Sequence, residues 1–248
     1  MDNMVKTLCV VQARLTSSRL PDKVVMKLGK MGKTIAEHVF ERLSLCRNID
    51  KVVFAIPVGR NNDALESFLV EKGIPCFRGS EDNVLERFYN CIKTYEPEIV
   101  VRATSDNPFV DWQQVDAQIE NLPGFDYVSS KDAPLGTGAE VFYAKGLYEA
   151  YLKASSDRER EHVTPYLYLH PELFRVNRIP YHLSLSGVYR LTVDTDKDFE
   201  LAQRVYDELY DGQPIPNQKV YQYLDAHPEV WQLNKDVEQK ENDLIQRR

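Results

Sequence analysis

Three cations, Arg14, Arg19 and Lys23, fall on one short stretch that begins where an apolar run ends, Leu8-Cys-Val-Val-Gln-Ala13 followed by Arg14-Leu-Thr-Ser-Ser-Arg19-Leu-Pro21-Asp-Lys23. Guanidinium groups fork onto phosphate oxygens and an ammonium adds a point charge, so this loop suits a polyphosphate, with Ser17 and Ser18 as further donors. Two later segments each deliver a carboxylate just past an apolar run. They are Val100-Val-Arg-Ala-Thr-Ser-Asp106-Asn-Pro108 and Arg190-Leu-Thr-Val-Asp194-Thr-Asp196-Lys-Asp198. Each feature also has a plainer explanation: a solvated basic loop, an Asp-Asn-Pro turn, and a helix capped by Thr195 and Asp196.

The elements that must position these residues follow from periodicity. Short apolar runs bounded by turn residues predict strands at 8–13, 51–56, 74–77 and 98–103, covered on both faces. Apolar residues at helical spacing predict helices over 34–46, 62–72 and 84–95. Strands alternating with helices imply an α/β fold with a mostly parallel open sheet flanked by helices, and ligands bind such sheets at loops leaving the strand ends. A helix capped by Asp111 over 111–122 leads to strands at 126–129 and 139–143, then helices at 145–154 and 159–169. Between 172 and 190 the pattern fades into short strand-like pieces around Pro180 and Gly187, which predicts a small appendage. A strand at 190–194 and helices at 196–210 and 217–226 follow. Residues 1–234 thus form one α/β domain, and 235–248 a polar tail.

At 248 residues and 43% hydrophobic content the chain can bury a full core. Its net charge of −7, with no basic stripe or tail, argues against nucleic acid or a membrane surface as a partner, while leaving room for a local basic pocket. Cys9, Cys46, Cys76 and Cys91 lack the paired spacing of a zinc or redox site. No signal peptide or membrane span is read, so a cytoplasmic protein is expected. Gly29-Lys-Met-Gly-Lys-Thr34 imitates a P-loop, but the motif needs glycine where Lys27 stands, and a turn into a helix is expected instead. His38, His162, His170, His182 and His227 form no metal-binding pair.

The cationic loop resembles the signature of the cytidylyltransferases that make CMP-activated sugars, including the SpsF-like spore-coat branch and the CMP-KDO and CMP-acylneuraminate synthetases. The match covers Gln12, Ala13, Arg14, Ser17, Arg19, Leu20, Pro21 and Lys23, with Thr16 and Asp22 departing from the pattern's usual residues. Asp106-Asn-Pro108 is similar to the family's Gly-Asp-x-Pro motif, with Ser105 for the glycine, and Leu191-Thr-Val-Asp194-Thr to its second acidic motif. Phe77-Arg78-Gly79-Ser80 resembles the segment beside the cytosine. Arg160-Glu161-His162-Val-Thr-Pro-Tyr166 and Glu140-Val-Phe142 resemble strings of the SpsF-like proteins.

That resemblance, running from Leu8 to about Pro228, implies a Rossmann-like nucleotide-diphospho-sugar transferase fold and a homodimer. It implies catalytic roles for Arg14, Lys23, Asp106 and Asp194, with Mg²⁺ held by Asp106 and Asp194. Nucleotide contacts would come from Gln12, Ala13, Arg14, Ser17, Arg19, Lys23, Arg78, Ser80 and Thr104, and acceptor contacts from Glu140, Arg160 and His162. The activity implied is transfer of CMP from CTP to a sugar or sugar acid with loss of pyrophosphate, for surface polysaccharide or glycan synthesis. A sugar acid would need a cation for its carboxylate, and Arg158, Arg160, Arg175 and Arg178 are all open. Two other functions remain: a nucleotide-sugar glycosyltransferase of the same broad fold, which would need less cation, and a catalytically silent nucleotide-binding scaffold.

Overall fold

The computed structural model describes residues 5–17, 19–185 and 187–238. Ser18 of the cationic loop and residues 239–248 of the expected tail lie outside the described residues. The strands are β1 (Thr7–Gln12), β2 (Lys27–Leu28), β3 (Lys33–Thr34), β4 (Lys51–Pro57), β5 (Cys76–Gly79), β6 (Ile99–Thr104), β7 (Tyr127–Lys131), β8 (Glu140–Tyr143) and β9 (Val176–Pro180). Seven of them form one sheet in the order β5-β4-β1-β6-β8-β7-β9, and β2 pairs with β3 as a small separate ladder. The β5-β4-β1-β6 half is parallel, β8 runs antiparallel to both its neighbours, and β9 returns parallel to β7.

The helices are α1 (Ile35–Leu43), α2 (Asp63–Glu71), α3 (Val84–Tyr95), α4 (Trp112–Glu120), α5 (Ala144–Lys153), α6 (Asp157–His162), α7 (Pro165–Leu169), α8 (Asp196–Leu209), α9 (Asn217–Ala226) and α10 (Pro228–Trp231). No helix among the described residues is long and apolar enough to cross a membrane. Alternation along each strand divides the core in two. Cys9, Val11, Phe54, Ile56 and Val101 pack on one side beneath α1, α2, α4, α8 and α9. Leu8, Val10, Val53, Val100 and Phe142 pack on the other beneath α3 and α5. Because both faces are covered, the central strands read as continuous apolar runs. All four cysteines are free, and burial pushes the Cys91 thiol up to about 12.

Three local differences from the sequence pattern have physical causes. The expected helix over 159–169 is two short ones, because Val163 sits at φ 71° and Pro165 restarts the chain as the first residue of α7. Residues 176–180, expected within an appendage, are instead the edge strand of the main sheet, hydrogen-bonded to β7. Arg190 to Asp194 is extended but joins no sheet: it makes one bridge, Leu135 with Arg190, and Val193 N–H donates to the Asp106 carbonyl at 2.8 Å. Gly136 permits that approach, since a Cβ there would lie 2.1 Å from the Thr192 nitrogen. The P-loop imitation is the β2–β3 turn, with Gly29 and Gly32 both at positive φ.

His38 of α1 is 1% exposed, packed between the rings of Tyr206 and Tyr210 with centroids 4.1 and 4.7 Å away. Burial pushes its pKa down from 6.5 to about 4, so the unfolded chain takes up this proton first as pH falls. His38's share of stability is therefore whole above pH 6.5 and is lost as the pH drops toward 4. Lowering the pH from 7 to 5 should cost about 2 kcal/mol through this residue, and denaturant titrations of wild type and His38→Gln should differ in slope across that window. Parallel pH profiles for the two proteins would contradict this.

Candidate functional site

Strands β1 and β6 end side by side, Gln12 in register with Thr104, and the chain leaving each carries charge. After β1 it passes through Ala13 and Arg14 to a 3₁₀ turn at Lys23–Val25, entered through Asp22 in the left-handed region at φ 55°. Aspartate tolerates that conformation better than most residues, which explains how it stands where the resembled pattern has glycine. After β6, Ser105 N–H donates to the Gln12 carbonyl at 3.0 Å, and the next side chain is Asp106.

Lys23 is the meeting point. Its side chain is buried, and Nζ donates to Asp106 Oδ2 at 2.9 Å, to Asp194 Oδ1 at 2.8 Å and to the Val193 carbonyl at 2.8 Å, which uses all three of its protons. Asp194 Oδ2 is met by Arg19 and Arg190, each at 3.1 Å. Arg190 also holds Asp198 at 2.8 Å, and Asp198 accepts the backbone N–H groups of Asp194 and Thr195, completing the capping box of α8. Thr104 donates to Asp106 Oδ1 at 2.6 Å. Burial alone would raise the Asp106 pKa, but the Lys23 charge and the hydrogen bonds from Thr104 and Lys23 hold it below the usual carboxylate range. Burial would lower the Lys23 pKa, and the two aspartates override it and raise it.

These groups open into a cavity of about 520 Å³. Its walls include Gln12, Ala13, Arg14, Ser17, Arg19, Lys23, Thr104, Asp106, Glu140, His162 and Asp194. Its floor is a sheet face whose apolar alternation turns polar at the strand ends. Arg102 donates to Glu140 Oε2 at 2.5 Å and to Gln12 Oε1 at 3.2 Å. Glu140 Oε1 accepts from Thr164 at 2.8 Å and from the Tyr127 hydroxyl.

Three expected residues lie off the cavity wall. Arg78 donates to Glu66 at 2.7 Å, to Asp63 at 2.7 Å and to the Gly59 carbonyl at 2.9 Å, so it ties β5 to the start of α2. Ser80 Oγ accepts from Asn83 N–H at 3.2 Å at the entry to α3. Arg160 is exposed on α6. Conversely, sequence reasoning missed Arg102, Tyr127 and Thr164. The signal that could have found them was Arg102 itself, a charge at a core-facing position of a strand otherwise apolar, Ile99-Val-Val-Arg-Ala.

The donor set fits a hard divalent cation only in part: Asp106 and Asp194 converge on one point and offer carboxylate oxygens. No group of three or more His, Cys, Asp or Glu suited to a metal occurs among the described residues, so further ligands would have to come from phosphate or water.

Residues 8–241 match the family model for cytidylyltransferases. An uncharacterised protein of Methanocaldococcus jannaschii is 38% identical over 95% of this chain and 97% of its own length. The spore coat polysaccharide biosynthesis protein SpsF of Bacillus subtilis is 33% identical over 90% of this chain and 95% of its own length. Among solved structures, a cytidylyltransferase from Leptospira borgpetersenii superposes with a TM-score of 0.85 at 25% identity, covering 95% of this chain and all of that one.

Lys23 should be structurally costly to remove. Lys23→Met leaves two carboxylates facing each other without their shared cation, and urea unfolding should show a loss of about 3 kcal/mol. Adding Asp194→Asn should recover part of it, and an unchanged midpoint in the single variant would contradict the geometry.

Proposed function

The chain belongs to the cytidylyltransferase family, and from that premise we propose that this enzyme transfers CMP from CTP to a hydroxyl of a sugar or sugar acid, releasing pyrophosphate, in polysaccharide or glycan synthesis. The observation that carries the reading is the cation cluster at the mouth of β1: Arg14, Arg19 and Lys23 on one cavity wall, with Asp106 and Asp194 beside them. A triphosphate brings about four negative charges, and this concentration of cation in an acidic protein answers it.

Arg14 and Arg19 fork onto the β- and γ-phosphate oxygens and neutralise charge as it accumulates on the leaving pyrophosphate. Lys23 exchanges part of its bonding to Asp106 and Asp194 for phosphate oxygens. That exchange keeps its buried charge compensated before and after the nucleotide enters. Asp106 and Asp194, freed from the ammonium, would hold Mg²⁺ together with phosphate oxygens. When bound there, the ion supplies Lewis-acid polarisation of the α-phosphate and a lowered pKa for the attacking hydroxyl. Gln12, Ala13 and Thr104 bound the cavity at the strand ends, and in this reading they contact the nucleotide. Ser80 shapes the turn on the cytosine side, and Arg78 steadies it through α2. Glu140 and His162 line the acceptor side. In the transfer the acceptor oxygen forms a bond to the α-phosphorus, the bond from that phosphorus to the β-phosphate oxygen breaks, and the hydroxyl proton passes to solvent or pyrophosphate.

Purified protein given CTP, Mg²⁺ and a panel of sugars and sugar acids should release pyrophosphate with CTP in preference to UTP, ATP and GTP. Asp106→Asn and Asp194→Asn should each lower that rate by roughly 10³-fold while circular dichroism stays native. A folded Asp106→Asn enzyme of undiminished rate would overturn the metal assignment. Preference for a sugar diphosphate donor over CTP would overturn the transfer itself.

A further inference from the structure

Around the cavity most cations are matched by carboxylates. Arg19 and Lys23 meet Asp194 and Asp106, and Arg102 meets Glu140. Arg14 stands apart: it lines the cavity, and no carboxylate pairs with it among the described residues. A second unmatched cation is Arg87, near the start of α3, which is 1% exposed. Its Nη1 donates to the Ser80 carbonyl at 2.6 Å, its buried Nε has no hydrogen-bond partner, and no ion pair engages it among the described residues. Arg42 is as deeply buried but uses Nε, Nη1 and Nη2 on Val110, Ile215 and Asn217, as a structural arginine does. A buried guanidinium with neither a counter-charge nor a full set of acceptors is costly.

The sheet brings Arg87 and Arg14 to the same place. Parallel strands β1, β4 and β5 end at one edge, with Gln12 in register with Ala55 and Pro57 with Gly79. Ala13 N–H donates to the Ala55 carbonyl at 3.2 Å, which carries the register past the end of β1 and sets Arg14, Pro57 and Gly79 in one row. Arg14 and Gly79 are then about 10 Å apart at ordinary strand spacing. Leu8 and Val10 pack on the side that α3 covers, and alternation places Arg14 on that side too. Arg87 packs against Gly79, where a Cβ would lie 2.8 Å from the Arg87 Cγ. Burial, with the Arg14 charge adding to it, pushes the Arg87 pKa down to about 10, and Glu81 opposes the shift.

Two neighbouring cations without a carboxylate between them favour an anion. In the transfer described above, the phosphate tail of CTP meets Arg14 from within the cavity. Arg87 lies behind, off the cavity wall, so it acts on that tail through its field and not by contact. A field of this kind scales with the charge of the ligand. It draws in a triphosphate strongly and a monophosphate ester, such as the product, weakly.

Resting on the transfer reading above, we propose that Arg87 is a specificity-determining residue for the number of phosphates, its buried charge favouring CTP over a CMP ester so that substrate is held and product is released. The test is calorimetric titration of CTP and CMP into wild type, Arg87→Gln, Arg87→Lys and Glu81→Gln, with circular dichroism as the check on folding. Arg87→Gln keeps a donor for the Ser80 carbonyl but loses the charge, and should weaken CTP about tenfold while changing CMP by less than about twofold. Arg87→Lys keeps the charge and should bind CTP within about threefold of wild type. Glu81 is exposed, and Glu81→Gln leaves Arg87 in place with less to offset it, so the ratio of CTP to CMP affinity should rise about twofold whether or not Arg87→Gln folds. Equal weakening of CTP and CMP in Arg87→Gln would make Arg87 only a prop for the Ser80 turn and overturn the proposal. The same loss in Arg87→Lys as in Arg87→Gln, or an unchanged ratio in Glu81→Gln, would overturn it too. A wild type that binds no CTP would instead overturn the transfer reading itself.

Discussion

One ammonium between two carboxylates organises this site. Lys23, Asp106 and Asp194 come from three distant parts of the chain, and each would be costly to bury alone. Their mutual compensation fixes three loops at once: the exit of β1, the exit of β6 and the extended segment before α8. Around that contact the remaining charges are also shared, Arg19 and Arg190 on Asp194, and Arg190 on the Asp198 that caps α8. The arrangement compensates its own charges without a ligand, and in the proposed transfer the same charges are the ones that meet phosphate.

The sheet explains why such a cluster forms at this edge. Central strands buried on both faces leave only their ends for polar groups, and β1 and β6, being parallel neighbours, deliver their following loops to the same edge. Antiparallel β8 then returns Glu140 to the floor beside Arg102, so the polar face widens from β1 toward β7 and β9. Gly136 allows the Leu191–Thr192 backbone to lie against its turn. Without that close approach Asp194 would not reach Lys23.

Much of this is legible in the residues. The alternation of apolar runs and helical patterns predicts the parallel half of the sheet, and Asp111, Thr195 and the Asn217 helix stand where local capping and turn chemistry put them. Lys23, Asp106 and Asp194 stand out as charges just beyond apolar runs. What local pattern cannot convey is pairing. Residues 176–180, Val-Asn-Arg-Ile-Pro, lack the apolar alternation of a half-buried strand and pair as one along the edge that β7 offers. The helix break at Val163 depends on the buried packing of that residue and on Pro165, and the break sets the Thr164 hydroxyl against Glu140. The resemblance puts Arg78 near the base, but Asp63 and Glu66 sit within its reach, a contact across a strand and a helix that no local spacing reveals.

Whether Lys23 holds the two aspartates until a nucleotide exchanges with it can be read by manganese titration followed by electron paramagnetic resonance. With Lys23 between them the carboxylates of the free protein should bind Mn²⁺ weakly, and CTP should raise the affinity by about a hundredfold, within the usual range of coupling between two ligands. The same Mn²⁺ affinity with and without CTP would contradict it.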